Sequence, residues 1–253
     1  MTRDECESFV DCVLRIGAEM VRNGAEVRRA EDTMLRISEA YGFTVSSSYA
    51  STTQVELSLV SPEGMHFTQA MRIERTWNDL GRVEALNADA RRICRDKPPV
   101  SELPDTISKP SSSKLQKVLG FFAYPVSAFA FAMFFGGSVM DGLGSALVAI
   151  FIYLMDRFFH LRRYNYIVYT VVACFIASCL AEVCFKLGIG DNIDMLMSGD
   201  VMIFIPGLAM VNGIKEMIYR DIITGIFRIM EAFLVAVAIA VGYALGILLF
   251  AML

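Results

Sequence analysis

The chain has 253 residues, 55% of them hydrophobic, with a mean hydropathy of +0.49, which is too apolar for an ordinary soluble domain. The charges are unevenly spread: 16 basic and 18 acidic residues fall in the first 117 positions, against 7 and 9 in the 136 that follow. A net charge of −4 without a basic stripe excludes nucleic acid as an expected partner, and the acidic opening Met1 to Asp11 has no signal-peptide character, so the N-terminus is expected in the cytoplasm.

From Asp4 to Val21 the apolar residues Phe9, Val10, Val13, Leu14, Ile16, Met20 and Val21 recur at spacings of three and four, which predicts one buried helix face ended by Asn23-Gly24. Ala25 to Tyr41 repeats the pattern through Val27, Ala30, Met34 and Ile37, with Gly42 as a left-handed cap, so the two segments form a helical hairpin. The period then drops to two: Phe43 and Val45, then Val55, Leu57 and Leu59, then Met65 to Ile73 after the turn sequence Ser61-Pro62-Glu63-Gly64 predict two or three antiparallel strands. Trp77 to Cys94 returns to helical spacing, and the Pro/Ser-rich stretch that follows reads as a linker. These boundaries give a cytoplasmic α+β domain over 1–97, a linker over 98–116 and a membrane domain over 117–253.

No G-x-x-x-x-G-K-[ST] loop is present, which argues against an ATP-driven motor. His66 and His160 lack partners at metal-ligand spacing, and Ser46 to Ser48 with Thr52 and Thr53 have no evident base, so neither a metal, nor a cofactor, nor an enzymatic nucleophile is expected. The six cysteines read as reduced, small hydrophobic residues.

Five apolar segments follow, Val118 to Met140, Leu143 to Phe159, Tyr164 to Phe185, Val201 to Tyr219 and Ile229 to Leu253, each near the ~20 residues of one span. The fold class expected is therefore an α-helical integral membrane protein of five transmembrane helices behind the small α+β domain. Arg157, Arg162 and Arg163 crowd the second connection and Lys215, Arg220 and Arg228 the fourth, whereas the third, Leu187 to Asp200, is acidic. That asymmetry places the second and fourth connections and the N-terminus inside, and the C-terminus outside, in a multi-pass protein of the cytoplasmic membrane.

Three features exceed what an anchor needs. Pro206-Gly207 breaks the fourth segment ahead of Asn212, Gly213, Lys215 and Glu216, and discontinuous helices build substrate sites in many secondary transporters. Arg228 and Glu231 stand three apart on the fifth segment, as an interfacial pair or as part of a path. Glu182 lies four before Lys186, either as a local ion pair or as a proton or substrate group.

The run Gly17 to Glu31 (GAEMVRNGAEVRRAE), then Phe134-Phe135-Gly136-Gly137-Ser138 with Asp141, Pro206-Gly207, Asn212-Gly213-Ile214, and Gly225-Ile-Phe-Arg228-Ile-Met-Glu231-Ala232 together resemble the threonine/serine exporter (ThrE) family, in the arrangement of its YjjP-type subunits. Glu216 stands where that family often places Asp. The resemblance implies export of small organic acids, such as a succinate-like dicarboxylate, or of hydroxy amino acids, threonine or serine. It also implies a small hydrophobic YjjB-type membrane subunit as partner, because the chain stops at Leu253 and five crossings offer no internal inverted repeat.

The expected path runs by Pro206 and Gly207. Asn212 bonds the substrate, Lys215 and Arg228 offset its carboxylate, and Glu216, Glu231 or Glu182 carries a proton or binds an ammonium group. The competing expectation is a membrane-anchored sensor or scaffold with a ligand-binding cytoplasmic domain.

Overall fold

A computed structural model describes residues 1–74, 76–109, 114–160 and 165–252, with backbone alone at 114–117, 159 and 160. Arg162 and Arg163, on which the inner placement of the second connection leaned, lie outside the described residues, as do positions 110–113 of the expected linker. The chain divides into two compact units. One comprises 1–111 with 208–229, and the other 112–207 with 230–253.

The first unit opens with α1 (Arg3–Arg22), whose Thr2 and Glu5 form a reciprocal capping box, and α2 (Val27–Ala40). Gly24 at φ +91° and Gly42 at φ +83° end the two helices in the left-handed region that glycine tolerates. The hairpin is tight because Gly17 faces Met34: a Cβ at Gly17 would lie 2.4 Å from the Met34 sulfur. Strands β1 (Thr44–Ala50), β2 (Gln54–Val60) and β3 (His66–Arg72) form an antiparallel meander in the order β1-β2-β3. The alternation expected of β2 is present, with Val55, Leu57 and Leu59 buried.

Helix α3 spans Leu80–Asp96 and starts later than the periodicity from Trp77 suggested. The reason is local: the Trp77 and Asp79 amides donate to the Arg22 and Asn23 carbonyls at the end of α1, and Asp79 then caps α3 by accepting from the Arg82 amide. Phe9, Leu14, Met20, Met34, Ile37, Leu57, Leu59, Leu86 and Ile93 close the core, each side chain contributing roughly 1.5–3 kcal/mol of burial. Part of the Pro/Ser-rich stretch belongs to this packing. Val100–Glu102 makes a 3-10 turn, α4 (Leu103–Thr106) follows it, Leu103 enters the core, and the Asp89 carboxylate accepts from the Ser108 amide and hydroxyl.

The second unit holds α5 (Lys114–Phe134), α6 (Val139–His160), α7 (Tyr166–Lys186), α8 (Ile193–Phe204) and the greater part of α10 (Ile222–Ala251), while α9 (Gly207–Ile218) belongs to the first unit from Leu208 on. Three described helices are long and apolar enough to cross a membrane: Val139–Phe158, Tyr166–Lys186 and Ile222–Ala251. The pair α8 and α9 makes a fourth if it is one broken span. The described apolar part of α5, Val118–Phe134, is shorter than a span. The protein is mostly helical, and its described residues hold three to four candidate membrane spans, so the five expected are not all found among them.

Two boundaries moved for identifiable reasons. The acidic third connection is shorter than Leu187 to Asp200 because Asn192 caps α8 by accepting from the Asp194 amide, which turns 193–204 into helix. The fifth segment begins at Ile222 because Asp221 accepts from the Thr224 amide at the head of α10.

Asp141, one of the resemblance residues, is buried at the start of α6, where one carboxylate oxygen accepts from the Ser138 amide and the other from the Asp191 and Asn192 amides. It therefore ties the entry of α6 to the loop that starts α8. Close packing through glycine completes the unit: a Cβ at Gly242 would lie 2.6 Å from the Val171 carbonyl, and one at Gly246 2.6 Å from Ser178.

Candidate functional site

The site is built on the first unit, from the α9–α10 hairpin and the turn that joins α1 to α2. Pro206 has no amide hydrogen to continue α8, and α9 starts directly after it at Gly207. Helix α9 ends in a Schellman arrangement: Asp221 N–H donates to the Glu216 carbonyl and Arg220 N–H to that of Met217, with Arg220 at φ +69°. The turn sends α10 back against α9, and two glycines permit the approach. A Cβ at Gly225 would lie 2.4 Å from Met217 Cγ and 2.6 Å from the Gly213 carbonyl, and one at Gly213 would lie 3.0 Å from the Gly225 carbonyl. Here lies the physical reason for the Asn-Gly and Gly-x-x-Arg elements.

Within that crossing Arg228 Nε donates to both oxygens of Glu216 at 2.9 Å, and the two side chains are only 7% and 3% exposed. The remaining bonds of the pair run to the α1–α2 turn. Arg228 Nη2 donates to the Ala25 carbonyl at 3.1 Å, and the Val27 amide donates to Glu216 Oε1 at 3.4 Å. Glu26, the residue preceding α2, makes no side-chain cap, so Glu216 supplies the negative charge that the amino end of α2 favours. Asn212 Nδ2 donates to the Gly24 carbonyl at 3.3 Å, Lys215 Nζ pairs with Glu26 Oε1 at 3.0 Å, and the Arg28 guanidinium lies 4.9 Å above the Tyr219 ring. Every residue from Gly24 to Arg28 is thus touched from α9, from α10 or from the turn between them.

Beside this joint opens a cavity of about 200 Å³ lined by Glu26, Arg28, Glu31, Lys215, Glu216, Tyr219 and Asp221. Four carboxylates face two cations. Glu216 is paired with Arg228 and Glu26 with Lys215, and Glu31, Asp221 and Arg28 complete the charged lining. Burial pushes the Glu31 carboxyl up from the ordinary carboxylate range, partly offset by the hydrogen bond it accepts from the Ala50 amide at 2.8 Å. A cavity lined by both carboxylates and a guanidinium can offer partners to both ends of a small zwitterion.

Of the residues singled out from the sequence, Asn212, Lys215, Glu216 and Arg228 come together here, with Pro206-Gly207 setting the start of α9. Glu231 does not join them: it is exposed, and Arg228 pairs with Glu216 in place of the expected Glu231, because the α9–α10 crossing brings Glu216 to the guanidinium. Glu182 is half-buried on α7 in the second unit, and its expected partner Lys186 instead lies 4.7 Å over the Phe250 ring. Sequence reasoning missed Glu26, Arg28, Glu31, Tyr219 and Asp221 as lining residues. Three of these stand in the resembling run Gly17 to Glu31, which was the available signal. Among the described residues no cluster of three or more His, Cys, Asp or Glu could hold a metal ion.

The family ThrE, described as "Putative threonine/serine exporter", matches residues 11–250. No curated protein and no solved structure matches the chain. The matched span takes in the α1–α2 turn, the broken α8–α9 segment and the Gly225 to Ala232 stretch of α10, so nearly the whole chain, this site included, belongs to the ThrE family of exporters.

Proposed function

We propose that the protein is a subunit of a secondary transporter that exports threonine or serine across the cytoplasmic membrane, and that the cavity beside the α1–α2 turn is where the substrate is first held. The observation that supports this reading is the charge balance of the cavity, whose lining includes Glu31, Asp221 and Arg28 in addition to the Lys215–Glu26 pair and the Arg228-paired Glu216. An amino acid places its ammonium group toward Glu31 and Asp221 and its carboxylate toward Arg28. A succinate-like dicarboxylate would meet a net negative wall, so the hydroxy amino acid is the better fit. Lys215 and Glu216 touch the substrate space, while Asn212 and Arg228 hold the wall in place.

The reading includes five crossings, with α5 and the α8–α9 pair counted as spans, the N-terminus inside and the C-terminus outside. It also includes a small YjjB-type membrane subunit, since an odd number of crossings supplies only one side of an alternating path. Liposomes holding this chain, the partner, or both, offered labelled threonine and labelled succinate, test it. Threonine flux from the pair alone is expected. Equal flux without the partner contradicts the two-subunit arrangement, faster succinate flux contradicts the substrate, and no flux of either leaves a sensor or scaffold as the better account.

A further inference from the structure

The second unit contains an acid that nothing described so far uses. Asp200 on α8 is fully buried (0% exposed), and among the described residues its only hydrogen-bonding neighbour is Ser145 on α6, whose Oγ lies 3.1 Å from Asp200 Oδ1. Among the described residues neither Asp200 Oδ2 nor the buried Tyr243 hydroxyl on α10 has a hydrogen-bond partner. The packing leaves no slack at this point: a Cβ on the adjacent Gly199 would lie 2.3 Å from Ser145 Oγ and 2.6 Å from the Ala128 carbonyl of α5.

The hydrogen bonds accommodate a protonated Asp200. Ser145 has one hydroxyl proton and two candidate acceptors, the Leu196 carbonyl at 2.8 Å and Asp200 at 3.1 Å. If Ser145 donates to the nearer Leu196 carbonyl, its Oγ can only accept, and a protonated Asp200 completes the chain from carboxyl to serine to carbonyl. If Asp200 were ionised, a full charge would sit out of water with at most one neutral donor, which costs several kcal/mol. No cation compensates: among the described residues the titratable groups facing Asp200 are the Cys184 thiol from α7 and the Tyr243 hydroxyl from α10, α6 presents Ser145, and α5 presents Ala128 and Ala132. Ser145 is the seventh residue of α6, about 9 Å along this apolar helix from its first, so the acid lies nearly two helical turns from that end.

We propose that Asp200 is a proton-binding site of the membrane unit and carries the proton that drives export. It is neutral in the closed packing shown, and it releases its proton to water on one side and takes one from water on the other as the helices around it open. Tyr243, with its unpartnered hydroxyl, donates to the carboxylate in the interval. The coupling rests on the transporter reading above; the proton site itself does not.

The full chain in lipid nanodiscs, studied by infrared difference spectroscopy across a pH titration, tests the proton site. A protonated-carboxyl carbonyl band at neutral pH should vanish in Asp200→Asn and should shift in Ser145→Ala, which keeps the acid and removes its serine neighbour. An Asp200→Asn spectrum equal to wild type overturns the proposal. If Asp200→Asn fails to fold, the shift in Ser145→Ala decides alone, and its absence overturns the proposal. Co-reconstituted with the partner subunit, wild type should accumulate labelled threonine in response to a pH gradient, whereas Asp200→Asn should keep threonine exchange and lose at least ten-fold of the gradient-driven flux. A variant driven as well as wild type overturns the coupling, while absence of wild-type flux counts against the transporter reading and leaves the infrared result standing.

Discussion

Arg228 and Glu216 face each other across the α9–α10 turn, one guanidinium nitrogen 2.9 Å from both carboxylate oxygens, and together they hold the Ala25 carbonyl and the Val27 amide of a turn nearly two hundred residues earlier in the chain. Both side chains are almost out of contact with solvent, so the pair is worth most as a unit. Removing one partner leaves an uncompensated buried charge. Glu216→Leu or Arg228→Met alone should therefore destabilise the folded chain by about 3–5 kcal/mol, and the double substitution should recover most of that loss. Thermal unfolding of the full chain in detergent checks this, and a double variant no more stable than the singles would count against it.

The glycine crossing gives a positional prediction. Alanine at Gly225 must displace the Gly213 carbonyl as well as Met217, at a cost of about 1–3 kcal/mol, whereas alanine at Gly207 meets nothing within 4 Å and should be neutral. Limited proteolysis within 1–111 reports whether the α1–α2 turn stays docked. Equal protection of the two variants would contradict the crossing.

Arg220 sits at φ +69° where the Schellman turn favours glycine. Arg220→Gly relieves the left-handed strain and should stabilise the hairpin by about 1 kcal/mol. The expected sign is a higher unfolding temperature, and a lower one would mean that the arginine side chain carries an interaction of greater value.

Glu31 predicts a pH dependence. Its folded carboxyl titrates above the ordinary value of 4.5 because of burial, so the folded state binds the proton more tightly than the unfolded one. The associated stability is fully present below the ordinary carboxylate range and is lost as pH rises through the raised folded value. Glu31→Gln, which can still accept from the Ala50 amide, should flatten that decline. Unfolding temperatures recorded from acid to neutral pH check it, and parallel curves for variant and wild type would refute it.

The cytoplasmic elements were legible because their signals are local. Phe9 to Val21 and Val55 to Leu59 show their periods within a few residues, and Gly42 sits where its helix must end. Trp77 misled because the backbone bonds that keep it out of α3 come from the end of α1. Asn212, Lys215, Glu216 and Arg228 were recognisable as charged or polar residues in an apolar context, but their partners were not. Glu231 stands three residues from Arg228 and Lys186 four from Glu182, so each looked like the natural mate, and only the crossing of α9 and α10 selects Glu216 for Arg228. Asp200 reads from sequence as part of an acidic connection because Asn192, which caps α8, resembles any other polar residue there.

The proposed recognition of a small zwitterion by the cavity of the first unit is most directly tested by binding of labelled threonine to the full chain in detergent, with unlabelled serine and succinate as competitors. Serine should displace the label and succinate should not. Asp221→Asn and Glu31→Gln should each weaken binding about 10- to 100-fold, the loss of one charge-assisted hydrogen bond of roughly 1.5–3 kcal/mol. Displacement by succinate as effective as that by serine, or unaltered binding in both variants, would contradict the account.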